Sequence, residues 1–95
     1  MLTTKQKVYL RSLAQTEKPV FQIGHDGISD NLIKTVSDYL KKHELVKISV
    51  LKNNDGDLKE TAFDLAMMTK SECIQVIGRQ IVLYRRSKEP KIILP

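Results

Sequence analysis

The sequence predicts an α/β domain, and three observations carry that expectation. Helical and extended apolar patterns alternate along the chain, which calls for a small sheet with at least one parallel pair and helices over it. Three cap residues, Thr3, Ser29 and Asp57, each precede an apolar stripe at helical spacing. Two β-rich runs flank the dipeptide Gly78-Arg79, a loop of hairpin type. The order is helix, strand, helix, strand, helix, hairpin.

Thr3-Thr4-Lys5-Gln6 reads as a capping box, with Gln6 reaching back to the cap. Tyr9, Leu10, Leu13 and Ala14 form the first stripe, and Lys18-Pro19 ends that helix. Val20 to Ile23 is too short for a helix and suits a buried strand. The segment Ile23-Gly24-His25-Asp26-Gly27-Ile28-Ser29 then turns the chain into a second helix near Asp30. Leu32, Ile33, Val36 and Leu40, with Tyr39, make its stripe. Lys41, Lys42 and His43 occupy its last turn, where positive charge complements the helix dipole.

From Leu45 to Leu51 the period changes to two: Val46, Ile48 and Val50 share one face, Lys47 and Ser49 the other. Asn53-Asn54-Asp55-Gly56 is dense in turn formers. Leu58, Ala62, Leu65, Ala66 and Thr69 mark a third helix, with Phe63 and Met67 flanking the stripe. Glu72 to Ile77 and Ile81 to Arg85 are expected to pair antiparallel through a type II′ turn, with glycine at the first central position. The charged, then apolar, tail Ser87 to Pro95 is left without a strand, with Ile92 to Leu94 placed to pack back.

Ninety-five residues, 41% hydrophobic and 28% charged, suit one globular domain spanning 1–95, with 85–95 as a loosely packed tail. No apolar run approaches the roughly 20 residues of a membrane span. Met1-Leu2-Thr3-Thr4-Lys5 lacks the order of a signal peptide, and Cys73 has no cysteine to pair with. A cytoplasmic location is expected. A net charge of +5 points to a polyanion, nucleic acid ahead of a membrane surface. No nucleophile stands with a base, no P-loop occurs, and two histidines and one cysteine far apart make no metal site. Neither catalysis nor a cofactor is expected.

The candidate site is the glycine loop. Gly24 and Gly27 permit turned or left-handed backbone and a close approach, and the helix behind them begins with unpaired N–H groups. Gly24, His25, Asp26 and Gly27 are therefore candidate RNA contacts, against the plainer reading of a strand-to-helix turn. Lys5, Lys7 and Arg11 lie on or near one helix face, Lys18 adjoins the first strand, Arg79 sits at the hairpin tip and Arg85 in the last strand. These are the candidate phosphate contacts, weighed against an ordinary solvated face. Lys41 and Lys42 read as helix-end charges, His43 as a cap or surface residue, and Cys73 as a small buried hydrophobe. Tyr9, Tyr39 and Tyr84 read as core residues before base-stacking ones. Binding should lean on backbone and shape.

Lys5-Gln6-Lys7 with Tyr9-Leu10-Arg11, Lys18-Pro19-Val20, Gly24-x-x-Gly27, His43-Glu44-Leu45-Val46-Lys47, and Gln75-Val76-Ile77-Gly78-Arg79 with Ile81-Val82-Leu83-Tyr84-Arg85 follow one another in order. From Leu2 to about Pro95 the chain resembles the CRM-domain family, in particular its stand-alone bacterial YhbY-like RNA-binding members. The resemblance implies a four-stranded mixed sheet packed with three helices, similar in topology to the C-terminal domain of bacterial translation initiation factor three. It also implies RNA binding through the glycine loop and a basic surface, with association to precursors of the large ribosomal subunit; a monomer is expected. Family loops often place a basic residue between the glycines, where this chain has His25 and Asp26. The rival reading is a protein-interaction adaptor docking on a ribosomal protein or assembly factor.

Overall fold

Each of the three helices starts on the cap its own sequence supplies. The computed structural model describes residues 2–95; Met1, part of the expected 1–95 domain and of the N-terminal segment, lies outside the described residues. Helix α1 spans Thr4–Ala14, and the Thr3 hydroxyl and Gln6 side chain cap each other's backbone N–H groups. Helix α2, Asp30–His43, is capped by Ser29, whose hydroxyl accepts from the Leu32 N–H at 3.1 Å. Helix α3, Leu58–Met68, is capped by Asp57 through the N–H groups of Lys59 and Glu60. Thr3→Ala removes the hydroxyl that accepts from the Gln6 N–H and is expected to lower stability by about 1 kcal/mol. That corresponds to about 5 °C in thermal midpoint by circular dichroism.

The strands are β1 (Phe21–Ile23), β2 (Leu45–Val50), β3 (Glu72–Ile77) and β4 (Gln80–Tyr84). They form one mixed sheet in the order β1-β2-β4-β3, with β1 parallel to β2 and both other pairings antiparallel. Gly78 has φ +58, while Arg79 has no positive φ; those signs are what a type II′ hairpin requires. β4 ends at Tyr84, one residue before the expected Arg85. The Arg85 N–H still donates to the residue opposite it in the β2–β4 register, the Glu44 carbonyl, at 2.9 Å.

Helices cover both faces of the sheet. α2 and α3 bury Val36, Leu40, Ala62, Leu65 and Ala66 against Ile23, Val46, Ile48, Val50, Ile81 and Leu83. On the other face α1 sets Leu10 and Ala14 against Leu45, Ile74, Val82 and Tyr84, and Leu2, Leu13, Ile92 and Leu94 pack around them. Coverage from both sides explains why Ile81 to Tyr84 are buried in succession instead of alternating. No described helix is long and apolar enough to cross a membrane.

Candidate nucleic-acid interface

The glycine loop leaves the carboxyl end of β1 and enters α2. The Gly27 N–H donates to the Gly24 carbonyl at 3.1 Å, closing a tight turn. Gly27 has φ +71 with open space where a Cβ would stand, so conformation and not room calls for glycine there. Gly24 differs. Its φ lies outside the left-handed region, and a Cβ would meet the Leu51 side chain at an ordinary 3.8 Å.

The loop is braced from the segment after β2. Asn54 Nδ2 donates to the Gly24 carbonyl at 2.9 Å, and His25 Nδ1 lies 3.4 Å from the Asn53 carbonyl. That segment is held in turn by Arg79, whose guanidinium donates to the carbonyls of Val50 (2.9 Å), Leu51 (2.8 Å) and Asn54 (3.4 Å). Arg79 therefore sits at the hairpin tip as expected, but its donors are turned inward and it positions the loop. Asn53 and Asn54 were readable only as turn formers; their bracing role needed the fold.

The loop's electrostatics are mild. The shallow groove beside it, about 270 Å³, is lined by Gln22, Ser29, Asn31 and Thr35 together with Phe21, Gly27 and Leu32, without a lysine or arginine. Ser29 caps α2, so Asp26 does not; His25 and Asp26 stay exposed, and Asp30 adds an acid in the first turn. This end offers bare backbone and neutral hydrogen-bonding groups more than cations.

The remaining candidates divide between the two ends of the sheet. α1 begins beside the C-terminal segment, where Gln6 Nε2 donates to the Pro95 carbonyl at 3.3 Å. It ends beside β2, where Lys47 Nζ donates to the Ala14 carbonyl at 2.9 Å. Exposed Lys5 and half-buried Lys7 thus lie far from the glycine loop, and Arg11 donates from Nε to the Ile74 carbonyl at 3.3 Å. Lys18 is exposed between α1 and β1. Arg85 is half-buried and clamps two helices: its guanidinium donates to the Ser37 carbonyl and hydroxyl (2.6 and 3.1 Å) and to the Thr69 carbonyl (2.6 Å).

Glu44 is the residue that sequence reasoning left unassigned. It follows α2 at φ +65, is 0% exposed, and donates its N–H to the Leu40 carbonyl. Its carboxylate accepts the backbone N–H groups of Ser87 (3.0 Å), Lys91 (2.5 Å) and Ile92 (2.8 Å), strapping the C-terminal segment to the domain. Burial alone would raise its pKa. The backbone donors outweigh burial and hold the carboxyl below its ordinary value.

Tyr84 is buried, and its hydroxyl has no hydrogen-bond partner among the described residues. Burial first, then the Glu44 charge, pushes its pKa up, with Arg86 opposing. Tyr39 meets Phe21 edge-on with ring centroids 5.5 Å apart and stacks on His43 at 4.2 Å. Tyr9 is exposed instead of joining the core, as are Phe63 and Met67 on α3. Cys73 is half-buried, and burial pushes its pKa up. Among the described residues no cluster of three or more His, Cys, Asp or Glu side chains could hold a metal.

Fold and loop together define a class: a one-domain α/β module with a Gly-x-x-Gly loop joining a parallel strand to a helix. The chain belongs to the CRS1/YhbY (CRM) domain family, whose profile matches residues 2–85. It is 46% identical over 93 residues to "Probable RNA-binding protein YqeI" of Bacillus subtilis, covering 98% of this chain and 97% of that one. It is 37% identical over 95 residues to the "RNA-binding protein" of Haemophilus influenzae, covering 99% and 95%. The solution structure of the hypothetical protein SAV1595 from Staphylococcus aureus, 55% identical, matches with a TM-score of 0.84 over 100% of both chains.

Proposed function

We propose that this protein binds RNA, that its target is large-subunit ribosomal RNA in precursor particles, and that it acts in assembly as a cytoplasmic monomer without catalysing a reaction. Family membership and the names of the relatives support the RNA part. The observation that carries the site is Gly24, where neither φ nor packing demands glycine. Bare backbone there is explained by a ligand that must come close. On this reading an RNA backbone lies against Gly24–Gly27 and the first turn of α2. Asp26 then accepts from a ribose 2′-hydroxyl or a base amino group, because a phosphate beside it would be repelled. His25, with Nδ1 toward Asn53, offers its other ring nitrogen.

Lysines distant from the loop supply most of the charge. With about five to seven phosphates neutralised at roughly 0.7–0.9 per contact, log K should fall with log salt at a slope of about −4 to −6. Filter binding to precursor large-subunit RNA across a salt series measures it, and a slope near −1 would contradict this reading. For the ribosomal part, the protein should comigrate with large-subunit precursors in a sucrose gradient of cell lysate and leave them after RNase treatment. Protein that stays at the top of the gradient would rule out stable association.

A second reading has one observation behind it. Phe63 and Met67, 62% and 63% exposed on α3, form an apolar strip of the kind that docks proteins. Protein association that survives RNase but not Phe63→Ser would favour the adaptor.

A further inference from the structure

The strongest concentration of positive charge lies at the end of the sheet opposite the glycine loop. There Lys41 and Lys42 from α2, Lys70 from the end of α3, and Arg86, Lys88 and Lys91 from the C-terminal segment wall a cleft of about 670 Å³. Glu89 is the one acid on its walls, and Arg85 faces inward onto its carbonyl partners. The carboxyl ends of α2 and α3 contribute about half a negative charge each, which six cations outweigh. Lys41 lies 3.8 Å from Asp38 in a largely exposed pair, too weak to withdraw it.

We propose that this cleft is a second RNA-backbone site. One RNA segment would then run from the glycine loop along the outside of the domain and seat its phosphates here. This rests on the RNA-binding reading and extends it to residues outside the glycine loop.

Three features beyond charge support the assignment. The cleft is built, because the Glu44 carboxylate fixes the backbone of Ser87, Lys91 and Ile92 and so places the cations of the tail. Lys70 holds φ +55 at the turn that ends α3, where its N–H donates to the Met67 carbonyl and that of Ser71 to the Ala66 carbonyl. Glycine is the residue that pattern favours, so lysine there carries a backbone penalty while its side chain lines the cleft. Finally, an adjoining cavity of about 370 Å³ shares Lys70, Arg85 and Arg86 and is lined by Tyr84. The shared residues make it a continuation of the basic cleft.

The geometry suits one ligand for both sites. Helix α2 runs from loop to cleft over 14 residues, about 21 Å at 1.5 Å per residue. An RNA hairpin longer than that reaches both ends.

The test measures the affinity of a fluorescein-labelled RNA hairpin by fluorescence anisotropy over a salt series. Lys70→Gly relieves the left-handed strain, so the variant folds at least as stably as the natural chain. It is nevertheless expected to bind about fivefold more weakly at 0.1 M salt, with a salt slope shallower by about 0.7–0.9. Lys41→Glu/Lys88→Glu, which changes one cation from α2 and one from the C-terminal segment, is expected to lose more than about twentyfold, with the fold checked by circular dichroism. Wild-type affinity and slope in both variants, alongside a binding loss in Gly27→Asp, would overturn the second site and leave the loop site standing. A natural chain that fails to bind the hairpin and precursor large-subunit RNA overturns both.

Discussion

Glu44→Ala is expected to lower the unfolding free energy by about 3 kcal/mol, or about 15 °C in thermal midpoint. The carboxylate is fully buried and accepts three backbone N–H groups from the C-terminal segment. Alanine leaves those donors buried without partners, or lets the segment detach and uncover the packing of Ile92 and Leu94 around Leu10, Val82 and Tyr84. Alanine also gains nothing at φ +65.

Glu44→Gln separates charge from shape. Its amide oxygen can still accept from Lys91 and Ile92, but its amino group then confronts the Ser87 N–H, so about half the loss is expected. The natural chain carries a pH signature as well. Folding depresses the carboxyl below its ordinary 4.5, so its contribution is present above about 4.5 and is lost as pH falls through the folded value. Thermal midpoints measured on either side of that window should fall more steeply for the natural chain than for Glu44→Gln. Parallel profiles would show that the carboxylate charge does not hold the strap.

Gly27→Asp is expected to weaken RNA binding by at least about tenfold, the equivalent of 1.4 kcal/mol. Two effects are combined in that substitution. A non-glycine residue at φ +71 costs about 1 kcal/mol of folding free energy, although aspartate tolerates the left-handed region better than most. In the proposed binding mode the new carboxylate would also face the RNA backbone, and like charges 4 Å apart at a protein surface repel by about 1–4 kcal/mol. Gly27→Asn controls for the first effect, being nearly isosteric, neutral and equally tolerant of the turn. Open space at the Cβ position admits either side chain. Asparagine should therefore share the stability loss yet bind within a few-fold of the natural chain, as read by anisotropy on folded protein. Equal binding by both variants would reduce the loop to a turn.

Much of the fold is legible because its signals are local. The Thr3–Gln6 capping box, the Ser29 and Asp57 caps and the Gly78-Arg79 hairpin are each decided within a few residues. The alternation of Val46, Ile48 and Val50 against Lys47 and Ser49 announces β2 and both of its faces. The glycine loop is likewise visible as a loop, and its place between β1 and α2 follows from the patterns that flank it.

What local pattern cannot specify is which distant carbonyl or amide a side chain will meet. Arg79 and Arg85 read as phosphate contacts because an arginine near a strand end shows only its charge. Their donors go to Val50 and Ser37, 29 and 48 positions away in the chain. Phe63 reads as flanking a core stripe but is exposed, since α3 covers only part of the sheet face. The basic residues read as one surface, yet the topology sets Lys5 near one end of the sheet and the glycine loop at the other.

The elements, their caps and turns, and the glycine loop between β1 and α2 are thus written in local pattern. Long-range packing sets β4 between β2 and β3, lets Glu44 strap residues 43 to 48 positions ahead of it, and stands the basic cleft away from the loop. The difference is one of range. Caps, turns and periodicity act across a few covalent bonds, whereas a buried charge takes its partners from whatever backbone the packed sheet and helices bring to it.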